Sequence, residues 1–258
     1  MQTLILSGGM GTRLREETEY RPKPMVEIGG RPILWHIMKS YPAHGYTDFV
    51  VCLGYKGDRI REYFLNYEAM NNDFTIELGQ PHRISYHDRH GEDGWRVTLA
   101  DTGTSTMTGA RVKRAAAHIT GDRFMLTYGD GVSDVNIADL VAFHERCGTI
   151  GVVTGVRPSS RFGELLCDGE RVRQFSEKPQ THAGLVNGGF FVFRRSFLDY
   201  LSDDPGCVLE GEPLERLAAD GQLSVYAHTG FWQCMDTYRD YQHLNQLWDS
   251  GDARWKTW

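Results

Sequence analysis

Thr3-Leu4-Ile5-Leu6-Ser7-Gly8-Gly9-Met10-Gly11-Thr12-Arg13-Leu14 is the stretch on which the fold turns. A short apolar run closed by serine and glycine predicts a buried strand. The glycines that follow let the backbone come close to a charged group, with its N–H groups as donors. Thr12 adds a hydroxyl donor, and Arg13 a fixed cationic fork suited to phosphate. No Gly-Lys-Ser/Thr follows, so this is not a P-loop. Gly8, Gly9 and Gly11 are also spaced wrongly for the dinucleotide fingerprint G-x-G-x-x-G. Taken alone, these residues fit a phosphate cradle or a plain strand-to-helix turn.

Outward from this loop the chain alternates. Pro32-Ile33-Leu34-Trp35-His36-Ile37-Met38 opens with proline and is apolar at helical spacing, which predicts a helix ending around His44-Gly45. Asp48 to Leu53 reads as a strand, and Asp58 to Tyr67 as an amphipathic helix. Strand, helix, strand, helix is the signature of an α/β fold with a parallel sheet. Phe74 to Leu78, Arg83 to Tyr86 and Trp95 to Asp101 read as short strands of an antiparallel insertion over about 68–112. The α/β rhythm resumes with a strand at Phe124 to Tyr128 and a helix over Asn136 to Arg146 capped at Gly148. Further strands follow at Gly151–Val156, Gly189–Phe193 and Leu223–Ala227, then a last helix over Tyr238–Ser250. The expected architecture is a single Rossmann-like α/β domain over 1–258. It has a mixed, mostly parallel sheet flanked by helices, the inserted β portion, and a C-terminal helix and tail over about 238–258.

Composition excludes several classes. The chain has 258 residues and a net charge of -6, a poor match for a general nucleic-acid binder. Apolar residues make up 40 %, as in an ordinary soluble globular protein rather than a disordered one. No apolar run is long enough for a membrane span, and no signal peptide is read at Met1. Five scattered cysteines, Cys52, Cys147, Cys167, Cys207 and Cys234, form no C-x-x-C pair, which points to a reducing cytoplasm. His82, His87, Asp88 and His90 lie close in sequence, but their spacing fits no standard metal site.

Arg21-Pro22-Lys23-Pro24-Met25 sets a lysine between two prolines, which predicts a stiff, extended backbone and hence a positioned charge. With the glycine loop, the pattern G-G-x-G-T-R-L followed by P-K-P-M resembles the sugar-1-phosphate nucleotidylyltransferases. The likeness continues in Val26 to Met38, Thr127 to Asp134, Asn187 to Phe191, Gly230 to Thr237 and the tryptophan-rich end, and it covers essentially the whole chain. Within the family, Val26 to Met38 is close to the pattern of the members that join CTP to glucose 1-phosphate.

The resemblance implies one reaction: a sugar 1-phosphate oxygen attacks the α-phosphorus of a nucleoside triphosphate, and pyrophosphate leaves. It implies catalytic roles for Arg13, Lys23, Asp130 and Asp236, with the two aspartates holding Mg²⁺. It sets Leu6, Ser7, Gly8, Gly9, Gly11, Thr12, Arg13, Lys23, Thr106, Gly109, Arg111 and Gly129 around the nucleotide, with Arg111 expected to donate to the base. It sets Lys178, Glu177, Asn187, Gly188 and Trp232 around the sugar phosphate. The implied partners are CTP, glucose 1-phosphate and further copies of the chain, with Trp248, Trp255 and Trp258 at a subunit contact. Read without the resemblance, Asp130 is also a turn residue, Asp236 a helix N-cap and Lys178 a surface lysine. Two other functions stay open: a sibling enzyme with another base or sugar phosphate, and a non-catalytic sensor of nucleotide sugars.

Overall fold

Every residue of Gln2–Ser7 is buried because this strand lies in the middle of the sheet, between two parallel neighbours. The computed structural model describes residues 1–79, 83–87, 90–157, 164–168, 171–176 and 184–258. Its central sheet has eight strands: Gln2–Ser7 (β1), Asp48–Leu53 (β2), Arg96–Asp101 (β3), Arg123–Tyr128 (β4), Gly151–Val156 (β5), Val186–Asn187 (β6), Phe191–Arg194 (β7) and Leu223–Ala227 (β8). Across the sheet the order is β8-β5-β7-β4-β1-β2-β3, with β6 pairing β5 on the same edge as β7. β4, β1, β2 and β3 run parallel, β7 is antiparallel to both β4 and β5, and β8 runs parallel to β5. This is the mixed, mostly parallel α/β sheet expected.

Strand side chains alternate faces, so the core has two halves. Ile5, Phe49, Val51, Leu53 and Met125 pack on one face with residues from Ile33–Lys39 (α1), Ile137–Cys147 (α2) and Tyr238–Asp249 (α3). Leu4, Leu6, Val50, Cys52, Phe124 and Leu126 pack on the other, against Val112, Ala115 and Leu217. Burial on both faces is why the parallel strands read as near-continuous apolar runs.

Four expectations change. Residues 96–101, read as part of an antiparallel insertion, join the main sheet as β3, parallel to β2 from Asp48↔Arg96 to Leu53↔Asp101. The projecting hairpin is only Phe74–Ile76 paired with Ile84–Tyr86. α1 stops at Lys39, and Pro42–His44 form a 3-10 turn, because Pro42 has no N–H to continue the ladder. The helix read over 58–67 is two, Gly57–Leu65 and Tyr67–Asn71. Among the described residues two eight-residue helices escaped the pattern, Thr108–Ala115 and Glu212–Ala219. The first buries Gly109, Ala110 and Arg111 beside Val112 and Ala115, too few large apolar groups to show a period.

The tryptophan-rich tail packs on the body of its own chain. Trp255 is buried in the chain's own core, and Trp248 and Trp258 pack against that core. His36 lies against all three rings, so the tail closes on its own α1. No helix among the described residues is long and apolar enough to cross a membrane.

Candidate active site

The carboxyl ends of β1, β2, β3 and β4 open toward one side of the sheet, the edge where open α/β sheets take ligands. A cavity of about 520 Å³ lies there, lined by Leu6, Ser7, Gly8, Gly9, Gly11, Thr12, Arg13, Lys23, Thr106, Arg111, Gly129, Asp130 and Asp236. Chain segments more than 200 residues apart in sequence thus share one wall. Gly109 is the exception: it packs under Cys207, where a Cβ would come 2.8 Å from the sulfur.

The loop is held from behind. Gly11 O accepts from Leu14 N–H at 3.0 Å and from the Thr18 hydroxyl at 3.0 Å. Gly11 has φ +62, and a Cβ there would come 2.7 Å from Thr18 Cγ2. Only glycine takes this conformation without strain. Gly8 O accepts from Tyr55 N–H at 3.2 Å.

Lys23 is the centre of the charge arrangement. Its Nζ donates to Asp130 Oδ2 at 2.7 Å and to Asp236 Oδ1 at 2.5 Å. Arg13 Nη1 meets the other Asp236 oxygen at 3.0 Å. The Lys23 side chain is only 12 % exposed, against 74 % for Arg13. Burial by itself lowers the Lys23 pKa, but the carboxylates of Asp130 and Asp236 outweigh it, and the net shift is upward. The ammonium therefore stays charged at neutral pH. The prolines stiffen the backbone but do not extend it: Pro22 is extended, and Lys23–Met25 then form a 3-10 turn closed by Val26 N–H on Lys23 O at 3.0 Å. Capping does not account for Asp236. The cap of α3 is Thr237, in a reciprocal pair with Asp240.

Arg111 is placed differently from expectation. It is 4 % exposed, and its terminal nitrogens donate to Leu53 O, Thr102 Oγ1, Gly103 O, Gly8 O and Thr104 O at 2.7–3.2 Å. Those contacts occupy the donors expected to meet a base. Arg111 instead ties the glycine loop to the segment after β3, and a Cβ on Gly8 would collide with its guanidinium. Thr106 Oγ1 accepts from Arg114 Nη1 at 2.8 Å, which leaves its own hydroxyl proton free to donate.

On the sugar side, Trp232 Nε1 donates to Gly188 O at 2.8 Å, and Asn187 Nδ2 donates to the Tyr128 hydroxyl at 2.9 Å. Tyr128 lines the cavity; Asn187, Gly188 and Trp232 are not among its lining residues, and Asn187 reaches it through the Tyr128 hydroxyl. β6 and β7 share one edge of β5, and the break between them aims this corner. Gly189 has φ +77 and Phe190 φ +46, a conformation rare for a bulky residue. Thr154 holds the break, donating from its N–H to Gly189 O and from its hydroxyl to Phe190 O. Glu177 and Lys178 lie outside the described residues. Sequence reasoning missed Tyr128 and Glu210. The place of Tyr128 at the end of β4, two residues before Asp130, was a usable signal; Glu210 lies in a loop with none.

The chain's residues 2–249 match the family model described as nucleotidyl transferase, and the chain belongs to that family. It is 49 % identical to a glucose-1-phosphate cytidylyltransferase of Salmonella typhi, over the full length of both chains. It is 42 % identical to a protein of Bacillus subtilis named probable glucose-1-phosphate cytidylyltransferase, again over the full length of both. The fold is shared with HddC from Yersinia pseudotuberculosis, with TM-score 0.70 at 20 % identity, covering 96 % of this chain and 99 % of that one.

Proposed function

We propose that this nucleotidyltransferase moves a cytidylyl group from CTP to α-D-glucose 1-phosphate, giving CDP-glucose and pyrophosphate by direct displacement at the α-phosphorus. The observation that carries the reading is Lys23, buried between Asp130 and Asp236 at the mouth of the glycine loop. Together with full-length identity of 49 % to a glucose-1-phosphate cytidylyltransferase, it favours this pair of substrates over the sibling and sensor readings.

Both reactants are anions, so the site must cancel their repulsion, and catalysis is mostly positioning and charge. The glycine loop with Arg13 holds the triphosphate and then the leaving pyrophosphate. Lys23 brings a fixed positive charge to the α-phosphate as negative charge builds there. Asp130 and Asp236 fit a divalent cation: two oxygen donors that converge on one ammonium, at 2.7 and 2.5 Å, also converge on an ion of that charge type. Mg²⁺, the ion proposed, supplies further positive charge against phosphate oxygens when bound. Asn187 and Gly188 offer the sugar hydroxyls one amide and bare backbone. We place the enzyme in the cytoplasm, as the free thiols of Cys52, Cys147, Cys207 and Cys234 suggest. We also take it to be a homo-oligomer, which the exposed apolar residues Phe74, Ile76, Ile84 and Tyr86 of the hairpin support.

Pyrophosphate release from glucose 1-phosphate with each of the four triphosphates tests the reading. The expected result is fast release with CTP, abolished by a chelator and restored by Mg²⁺. Release with none of the four would leave the sensor reading, and a preference for another base the sibling one.

A further inference from the structure

Glu210 stands in the loop before Glu212–Ala219, away from the acids of the charge centre, yet it joins the two ends of the cavity. Its Oε1 accepts the Tyr128 hydroxyl proton at 2.6 Å, and its Oε2 accepts the Thr108 hydroxyl proton at 2.7 Å. Both donors line the cavity, Thr108 on the nucleotide side. Thr108 Oγ1 also accepts Leu209 N–H at 2.9 Å, which fixes the loop beside the helix start.

A carboxylate only accepts, so it dictates where its partners' protons lie. With its O–H directed at Glu210, the Tyr128 oxygen has only lone pairs left to present. Asn187 must then turn its Nδ2 toward Tyr128, as it does at 2.9 Å. Its Oδ1 accepts Gly189 N–H at 2.9 Å, which demands the same amide orientation from the other end. One N–H and one lone pair of Asn187 remain to meet a sugar hydroxyl.

We infer that Glu210 is a positioning residue for the sugar phosphate, acting through the Tyr128 hydroxyl to fix the amide of Asn187. The inference rests on the reading of Asn187 as a sugar-binding group.

The test is steady-state kinetics on the full chain, varying CTP and glucose 1-phosphate in turn, with thermal unfolding as a check on folding. Glu210→Ala and Tyr128→Phe are each expected to raise KM for glucose 1-phosphate about fivefold or more, with KM for CTP moving less than about twofold. The double variant is expected to be no worse than the worse single one, because both cut the same chain of bonds. Glu210→Gln is expected to stay within about twofold of the parent, since its amide oxygen still accepts from Tyr128 and its NH₂ donates to Thr108. An unchanged KM for the sugar phosphate in Glu210→Ala, an equal rise in both KM values, or multiplying effects in the double variant would overturn the inference. Should Glu210→Ala fail to fold, Tyr128→Phe carries the same test. Asn187→Ala separates the two ideas: no effect on the sugar phosphate removes the sugar-site reading and this inference with it. A clear effect there with none in Glu210→Ala removes the positioning role alone.

Discussion

A lysine gripped by two aspartates brings positive charge into a site that must admit two anions. Removing the Lys23 ammonium leaves the Asp130 and Asp236 carboxylates facing each other, with Arg13 still paired to Asp236. Lys23→Ala is therefore expected to lower kcat more than it raises KM, because its charge matters most as the transition state forms. Steady-state kinetics with CTP would show this, and a rise in KM at constant kcat would make it a binding lysine only. Arg111 predicts the opposite of a base reader. Arg111→Ala is expected to lower kcat/KM for CTP and UTP alike, with their ratio held within about twofold, because it loosens both cavity walls together. A collapse of that ratio in competition assays would return Arg111 to the base. At this scale the sequence showed which residues carry charge, through glycine, proline and aspartate at strand ends. It could not show that Arg111 donors are spent on the Leu53 and Gly8 carbonyls, since those come from loops far from Arg111 in the chain.

The glycine loop is an element whose shape depends on one backbone angle. Gly11→Ala puts a Cβ against Thr18 in a left-handed conformation, at an expected cost of about 1–2 kcal/mol in stability. Denaturant unfolding measures it, and KM for CTP should rise in parallel. Unchanged values of both would mean that the loop relaxes freely. Strand 96–101 shows the limit of local reading. In the sequence it reads as a short strand like the two before it, yet it carries part-buried residues and the buried Ala100, while every residue of the hairpin strands is exposed. Only its partner, β2, decides that one joins the main sheet and the other stands outside it. Pairing is a long-range choice that period-2 patterning does not carry.

In the whole molecule, the tail is locked through His36, which is 1 % exposed. Its Nε2 meets Ile28 O at 2.8 Å, and Trp255 Nε1 donates to its Nδ1 at 3.3 Å. That pair of bonds needs the neutral ring, with its proton on Nε2. Burial pushes its pKa down to about 4 from the ordinary 6.5. The unfolded chain therefore binds this proton more readily, and the stabilisation, complete above pH 6.5, fades as pH falls toward 4. Between pH 7.5 and 4.5 the loss is expected to be about 2–3 kcal/mol. Denaturant unfolding of the parent and of His36→Gln at both values isolates it. Equal losses in the two would remove His36 as the source.

The sequence by itself determined the alternation of strand and helix, the glycine loop, and the lysine and aspartates at strand ends. Those signals are local: a run, a turn residue, a proline beside a charge. The tertiary structure alone decided that Asp130 and Asp236 share one ammonium, that Arg111 faces carbonyls, and that the tryptophans close on His36. Each of these joins segments distant along the chain, and no spacing records which distant groups a packed core brings within hydrogen-bond reach.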